Sequence, residues 1–233
     1  MDANMFNTLL FFVTIIFYVT AVFFAYKLFG KTGLYIWTAF AAIVANIEAL
    51  KMVDMFRMEL TLGNALYATS FLVTDILSEN HGKKAANKAV NIGLFTILVW
   101  VGATQLILLF KPNEYDFIQP AFQSLFEMVP RLSLASIFTY VISQKIDILL
   151  YHKFWKATGH NKRFLWLRNN GSTLISQMVD TVVFTVIAFA GQYEWSYVWT
   201  LCLTSYIVKA IVALCDTPIL YLARRFAPAK AEE

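Results

Sequence analysis

The sequence predicts an all-α integral membrane protein, a polytopic helical bundle of about seven transmembrane helices. The chain of 233 residues is 59% hydrophobic, has a mean hydropathy of +0.59, and is only 15% charged. Soluble domains are roughly 45–50% apolar and about 25% charged, so a soluble fold is excluded. The apolar residues also fall into runs of about 20, the length that crosses a bilayer as a helix.

Seven candidate spans follow one another, at about 6–28, 34–53, 60–78, 87–110, 129–151, 172–193 and 197–222. The third is short and contains Asn64 and Asp75, so the alternative is a re-entrant segment with six full spans. We treat 1–233 as a single transmembrane domain, with a cytoplasmic connector at 152–171 and a cytoplasmic tail at 223–233.

Lys and Arg residues mark alternate loops, and this sets the predicted orientation. The loops after the first, third, fifth and seventh spans hold basic clusters, whereas the other loops hold few basic residues. Because basic loops stay in the cytoplasm, the pattern predicts a multi-pass protein of the cell (inner) membrane with the N-terminus outside and the C-terminus cytoplasmic. A six-span chain would break the alternation.

This orientation explains the net charge of +4 without a nucleic-acid partner, and we predict none. The expected partners are the lipid bilayer and a small solute, and a homodimer is left open. The sequence contains no P-loop, no GxSxG elbow, no HExxH helix and no histidine pair with metal-ligand spacing. We therefore predict no enzyme, with no catalytic residues, no metal and no cofactor.

Cys202 and Cys215 lie too far apart along one helix to pair, so both are predicted to be free thiols.

The polar pattern Ser-Gln-x-x-Asp occurs twice inside the apolar spans, at 143–147 and 176–180. Polar groups in hydrocarbon are costly, so each is expected to face the bundle interior or a wet cavity. At about 100° per residue, Ser133, Tyr140 and Asp147 share one face of their helix, which predicts an inward polar stripe. The serines are equally explained as hydrogen-bonding contacts between helices. The acids and amides are better explained by binding or translocation of a solute.

Other ionisable residues within the spans have more than one interpretation. Asp75 has no cation nearby in the sequence, which favours a site role, whereas Glu79 either pairs with Lys83 or joins the site. Glu48 and Lys51 are three residues apart and are expected to pair within their helix. Candidates for side chains that extend to the membrane surface are Lys145, Asp147, Lys209 and Asp216.

The stretch Trp-Leu-Arg-Asn-Asn-Gly-Ser at 166–172, followed by the second Ser-Gln-x-x-Asp, resembles the queuosine precursor transporter family (vitamin-uptake-transporter-like). Arg131 and Ser136 before the first pattern, and the segment from Thr74 to Gly82, are similar to that family as well. The resemblance implies import of a 7-deazaguanine for salvage into tRNA modification. The solute would be the cyano precursor (preQ0), the aminomethyl precursor (preQ1) or the base queuine.

The resemblance also implies roles for individual residues. Asp75 or Asp180 would be the carboxylate that accepts the guanine-like N–H groups, and Gln144 or Gln177 the amide. Arg131 and Arg168 would hold helix ends or gate the cavity. The candidate substrate-binding residues are Asp75, Glu79, Arg131, Ser143, Gln144, Asp147, Arg168, Ser176, Gln177 and Asp180.

Three other functions remain open at this point. The chain could be a substrate-binding membrane subunit for another vitamin-like solute that works with a separate ATPase. It could also be a membrane enzyme acting on a lipid, or a purely structural membrane protein.

Overall fold

The computed structural model describes residues 2–127, 129–159, 162–191 and 193–226, apart from the side chains at 129, 131, 132, 162 and 226. Helices dominate it, joined by one small antiparallel hairpin. The elements are α1 (Ala3–Glu48), β1 (Met52–Met55), β2 (Met58–Thr61), α2 (Gly63–Leu109), α3 (Gln119–Phe126), α4 (Val129–Thr158), α5 (Leu165–Phe189) and α6 (Trp195–Ala223). The all-α membrane fold predicted from the sequence is confirmed.

Helix α1 reverses direction at Gly30, whose φ of 58° and ψ of −144° are not helical. A straight helix would put Tyr18 and Glu48 about 45 Å apart. Instead the Tyr18 hydroxyl donates a hydrogen bond to the Glu48 carboxylate, and the rings of Tyr18 and Trp37 lie 6.3 Å apart. The two halves of α1 therefore run antiparallel.

The same device recurs in α2, at Gly82, where φ is 79°. The ring of Tyr140 lies 6.3 Å from that of Tyr67 in the first half. The Tyr140 hydroxyl also lies against Gly93 in the second half of α2. A Cβ atom added to Gly93 would lie 2.2 Å from that hydroxyl oxygen. Both halves of α2 thus pack against the same tyrosine of α4.

These reversals change the count of helices. Within the described residues, five helices, rather than the predicted seven, are long and apolar enough to cross a membrane. The difference lies in α1 and α2, because each of them holds two of the predicted spans on either side of a non-helical glycine. No polar loop is needed at such a reversal, since glycine adopts positive φ without steric penalty.

The β-hairpin was not predicted from the sequence. The second predicted span extended to residue 53, into the first strand. Helix α1 ends at Glu48, and the strands pair from Met52 with Thr61 to Met55 with Met58. Phe56 and Arg57 form a two-residue turn in which both φ angles are positive. This local twist matches the twist of the paired strands.

The basic segments gather at one end of the bundle, which we call the basic end. Asn80, beside the Gly82 reversal, donates to Tyr26 near the Gly30 reversal (2.9 Å) and to the carbonyl of Ala223 at the end of α6 (3.0 Å). Glu79 contacts Arg168 at the start of α5. The alternation of basic loops predicted from the sequence thus corresponds to one face of the molecule.

The opposite end carries the β-hairpin, and we call it the hairpin end. The Asn7 amide donates to the carbonyl of Asp54 at 2.9 Å, and the Tyr197 hydroxyl donates to Glu59 at 2.7 Å.

The predicted connector 152–171 is largely helical. Helix α4 extends to Thr158 and α5 begins at Leu165, while residues 160–161 lie outside the described part. Residues 227–233 of the predicted tail also lie outside it.

We expect Gly33→Ala to destabilise the protein, because an added Cβ would meet the carbonyl oxygen of Ala25 at 2.0 Å across the α1 reversal. Overpacking of this kind costs about 1–3 kcal/mol, measurable as a lower thermal midpoint in detergent. Gly102→Ala is the control, since its Cβ would meet nothing within 4 Å. An equal midpoint for both variants would contradict the close approach.

Candidate functional site

The two Ser-Gln-x-x-Asp patterns hold α4 and α5 together by exchanging hydrogen bonds. Ser143 of the first donates to Asp180 of the second at 2.9 Å, and Ser176 of the second donates to Asp147 of the first at 3.0 Å. All four residues are buried. The exchange follows from antiparallel packing, because the serine end of each pattern then lies beside the aspartate end of the other.

Asp180 is the centre of a second, larger network. Its Oδ1 accepts a hydrogen bond from the Tyr67 hydroxyl at 2.6 Å in addition to that from Ser143. Its Oδ2 lies 2.5 Å from the Lys209 ammonium of α6. The carboxylate therefore joins α2, α4, α5 and α6, and its charge is balanced by a lysine that is also buried.

An open cleft lies against this network. Aromatic rings and small side chains form most of its wall, with Asp180 and Lys209 as its charged members. The lining residues are Ala42, Ala45, Asn46, Ala49, Thr61, Gly63, Asn64, Tyr67, Ser70, Ile97, Ser136, Thr139, Tyr140, Asp180, Phe184 and Lys209.

A second cavity adjoins the cleft toward the hairpin end. The two share Thr61, Asn64, Phe184 and Lys209. The second is lined further by residues of β1, β2, α5 and α6, including Tyr197, and by Tyr193 between those two helices. The site therefore lies in the half of the bundle that is nearer the hairpin.

Below the cleft, toward the basic end, the predicted acids and amides are buried in a closed polar layer. Asp75 accepts from Thr173 at 3.1 Å, and the Gln144 carbonyl accepts from Thr74 at 3.1 Å. The two amide atoms of Gln177 make no hydrogen bond within the described residues. This layer separates the cleft from the basic end and does not line the cleft.

A buried ion cluster closes the basic end. Arg168 donates to both carboxylate oxygens of Glu79 at 3.0 Å, and Arg224 lies 3.1 Å from the same group. The Tyr151 hydroxyl donates to Glu79 at 2.7 Å, and the Arg168 guanidinium lies 4.9 Å from the ring centre of Trp155. The bundle is thus tied shut at this end by contacts between α2, α4, α5 and α6.

Several expectations about charged residues require correction. Glu48 bonds with Tyr18, and no ion pair joins it to the exposed Lys51 in the described part of the chain. Glu79 pairs with two arginines rather than with Lys83. Asp147, Lys209 and Asp216 do not extend to the membrane surface but are at most 4% exposed. These side chains tolerate deep burial because each of them has a hydrogen-bond partner on a neighbouring helix.

Arg131 lies in the first turn of α4, and its side chain is outside the part that the structure describes. Cys202 and Cys215 are free, as predicted. Within the described residues, no group of three His, Cys, Asp or Glu side chains is arranged to hold a metal ion.

Comparison with known proteins agrees with the resemblance seen in the sequence. Residues 61–223 match the family described as "Putative vitamin uptake transporter". A Bacillus subtilis (strain 168) protein described as "Probable queuosine precursor transporter" is 38% identical over 206 residues, covering 87% of this chain and 88% of that protein. The chain belongs to this transporter family. A Haemophilus influenzae (Rd) protein of the same description is 26% identical over 150 residues, or 63% of this chain and 59% of that protein. No solved structure gives a significant match.

For this member of the vitamin uptake transporter family, sequence reasoning found one charged residue of the cleft and missed the other. Asp180 was a candidate, but Lys209 and Tyr67 were not, although both contact it. Asn64, which also lines the cleft, was considered only as a polar residue within the short third span. The available signal was the lysine in the middle of the last apolar run, which has no reason to lie there unless an acid faces it.

Loss of the Glu79 charge should destabilise this transporter strongly, because Glu79→Gln leaves two arginines without their shared carboxylate. Breaking one partner of a buried pair costs about 3–5 kcal/mol, which a thermal unfolding assay in detergent detects. Glu59→Gln is the matched control, since Glu59 is exposed and accepts a hydrogen bond from the Tyr197 hydroxyl. Similar midpoints for the two variants would show that the basic end is not held shut by this cluster.

Proposed function

We propose that the protein is a multi-pass membrane importer of a queuosine precursor, a 7-deazaguanine, and that the cleft beside Asp180 is its substrate site. The observation that carries the proposal is a buried carboxylate on the wall of an aromatic-lined cleft. The description of two relatives as probable queuosine precursor transporters supports the same substrate class. Neither the family nor these relatives supports a subunit that depends on a separate ATPase.

The chemistry of the cleft suits such a base. A guanine-like edge presents a ring N–H and an exocyclic amine, and a carboxylate accepts from both in a charge-assisted contact. An ionised carboxylate has about four acceptor positions. The contacts from Tyr67, Ser143 and Lys209 occupy three of those of Asp180, so about one is left for an N–H group of the base. Asn46 and Asn64 supply amide groups to the same cleft.

Flat faces of the base would lie against aromatic rings. Tyr67, Tyr140 and Phe184 line the cleft, and the first two are already in edge contact with each other. Stacked and edge-to-face contacts add about 0.5–1.5 kcal/mol each beyond the area that they bury. The apolar remainder of the wall excludes water from the polar contacts and thereby strengthens them.

We propose that the candidates buried below the cleft line the route that the base takes after it leaves the cleft. Along α2, α4 and α5 the order from the hairpin end is the cleft, then Asp75, Gln144 and Gln177, then the Glu79 cluster. Alternating access around a central site would open the basic end while closing the other. The buried amides and carboxyls would then face the base instead of one another.

The orientation proposed here has the basic end in the cytoplasm, following the positive-inside rule. The cleft then opens outward and the closed ion cluster faces inward, which fits import. We propose further that the chain catalyses no reaction and needs no cofactor. Homodimer formation and the lack of nucleic-acid binding stay predictions.

The orientation has a direct test. A reporter that is active only outside the cytoplasm should be active when inserted at Arg57 in the β-hairpin turn and inactive when fused after residue 226. A reporter active only in the cytoplasm should give the opposite result. Activity of one reporter at both positions would contradict the orientation, because the two ends of the bundle would then face the same compartment.

The substrate assignment is tested by rescue of queuosine in tRNA, in cells that lack both synthesis and an importer of their own. Supplied with a 7-deazaguanine at low concentration, the wild-type chain should restore the modification. Asp180→Asn should need at least about tenfold more base, the loss expected for one charge-assisted hydrogen bond of about 1.5–3 kcal/mol.

Asp54→Asn in the exposed hairpin is the control for this test, and both variants are compared at equal membrane levels. Failure of every precursor to rescue with the wild-type chain would refute the substrate class. Normal rescue by Asp180→Asn would remove Asp180 from the site.

A further inference from the structure

The charges of the cleft cancel. Among the described residues that line the cleft and its adjoining cavity, Asp180 and Lys209 alone are ionisable acids or bases of the Asp, Glu, Lys, Arg or His type. They form one ion pair with an oxygen–nitrogen distance of 2.5 Å. A ligand therefore meets a site without net charge, in which the acid already has a partner.

Lys209 is fixed in place. It is 4% exposed, and its ammonium lies 5.1 Å from the centre of the Tyr67 ring as well as against Asp180. Both the carboxylate and the ring face favour its charge. Withdrawing Asp180 from Lys209 would leave a buried ammonium without its anion, and unpaired buried charge is strongly unfavourable.

The effect of the Asp180–Lys209 pair on binding depends on the charge of the ligand. A neutral heterocycle can bind the remaining acceptor position of Asp180 and the amides of Asn46 and Asn64 while the pair stays intact. A ligand with an ammonium group finds no unpaired carboxylate among the described lining residues, and it can gain one only by displacing Lys209 from Asp180. Both alternatives are unfavourable, because each leaves one buried ammonium without an anion.

We propose that Lys209 determines specificity, by reserving the cleft for uncharged 7-deazaguanines and against those that carry an ammonium group. This inference rests on the proposed function and specifies its substrate class. The chemical distinction lies in the substituent at position 7. A nitrile or a hydroxymethyl group is neutral, whereas an aminomethyl group has the basicity of a primary amine and is protonated at pH 7.

The test compares uptake of three labelled bases by proteoliposomes that contain the full chain at pH 7. The probes are 7-cyano-, 7-hydroxymethyl- and 7-aminomethyl-7-deazaguanine. The hydroxymethyl base matches the aminomethyl base in size and differs from it in charge. We expect both neutral bases to be taken up at least about tenfold more efficiently than the cation, since each tenfold corresponds to about 1.4 kcal/mol.

Lys209→Met should narrow or reverse this preference, because the charge of Asp180 then lacks its buried cation and attracts the ammonium of the aminomethyl base. Lys145→Met is the matched control. Lys145 is an exposed lysine of α4 next to Gln144, so its loss should leave the preference unchanged. Binding of the three bases to purified protein, read as an increase in thermal midpoint, gives the same ranking without the need for transport.

The outcomes separate the two proposals. Uptake of none of the bases by the wild-type chain overturns the proposed function and this inference with it. Uptake of the aminomethyl base as efficient as that of the neutral ones overturns the inference alone. Poor uptake of the hydroxymethyl base also overturns it, because size and not charge would then explain the discrimination. An unchanged preference in Lys209→Met assigns the discrimination to another residue.

Discussion

The exchange of hydrogen bonds between two serines and two aspartates in α4 and α5 is the constraint on which the rest of the site depends. In a membrane interior, a carboxyl group without donors is too costly to keep, and each aspartate obtains a donor from the other helix. The exchange fixes the register of the two helices. With that register set, Asp180 faces the cleft and Asp147 faces the closed layer beneath it.

From this pair the polar interior divides into three levels along the bundle. The cleft with its balanced Asp180–Lys209 pair lies toward the hairpin, the layer of Asp75 and Gln144 lies in the middle, and the Glu79 cluster closes the basic end. Each level uses a different solution for buried polarity. The first pairs charges, the second relies on hydroxyl donors, and the third holds one acid between two arginines.

The two glycine reversals join neighbouring antiparallel helices with very short connections. Gly30 and Gly82 let one helix turn back as another without a polar loop, so that the lysines beside each reversal are carried to the same end. Those lysines accompany Arg168 and Arg224, and the positive face is built from segments that are far apart in the sequence. Hydrophobicity alone would not distinguish the two ends of the molecule.

The sequence by itself determined the membrane fold, the alternation of basic loops and the inward polar stripes, because hydrophobic runs and their 3.6-residue period depend only on local order. It also pointed to Asp180 through a repeated pattern. It did not reveal that the two spans within α1, and the two within α2, are joined directly at a glycine, since positive φ at a glycine leaves no trace in composition. Nor could it assign the partner of Lys209, because the acid that faces a lysine in the middle of a span is known only once α6 is packed against α5. Which acids face a cavity and which face one another is decided by helix rotation and register, and these are set by contacts between residues as distant as Tyr67 and Asp180.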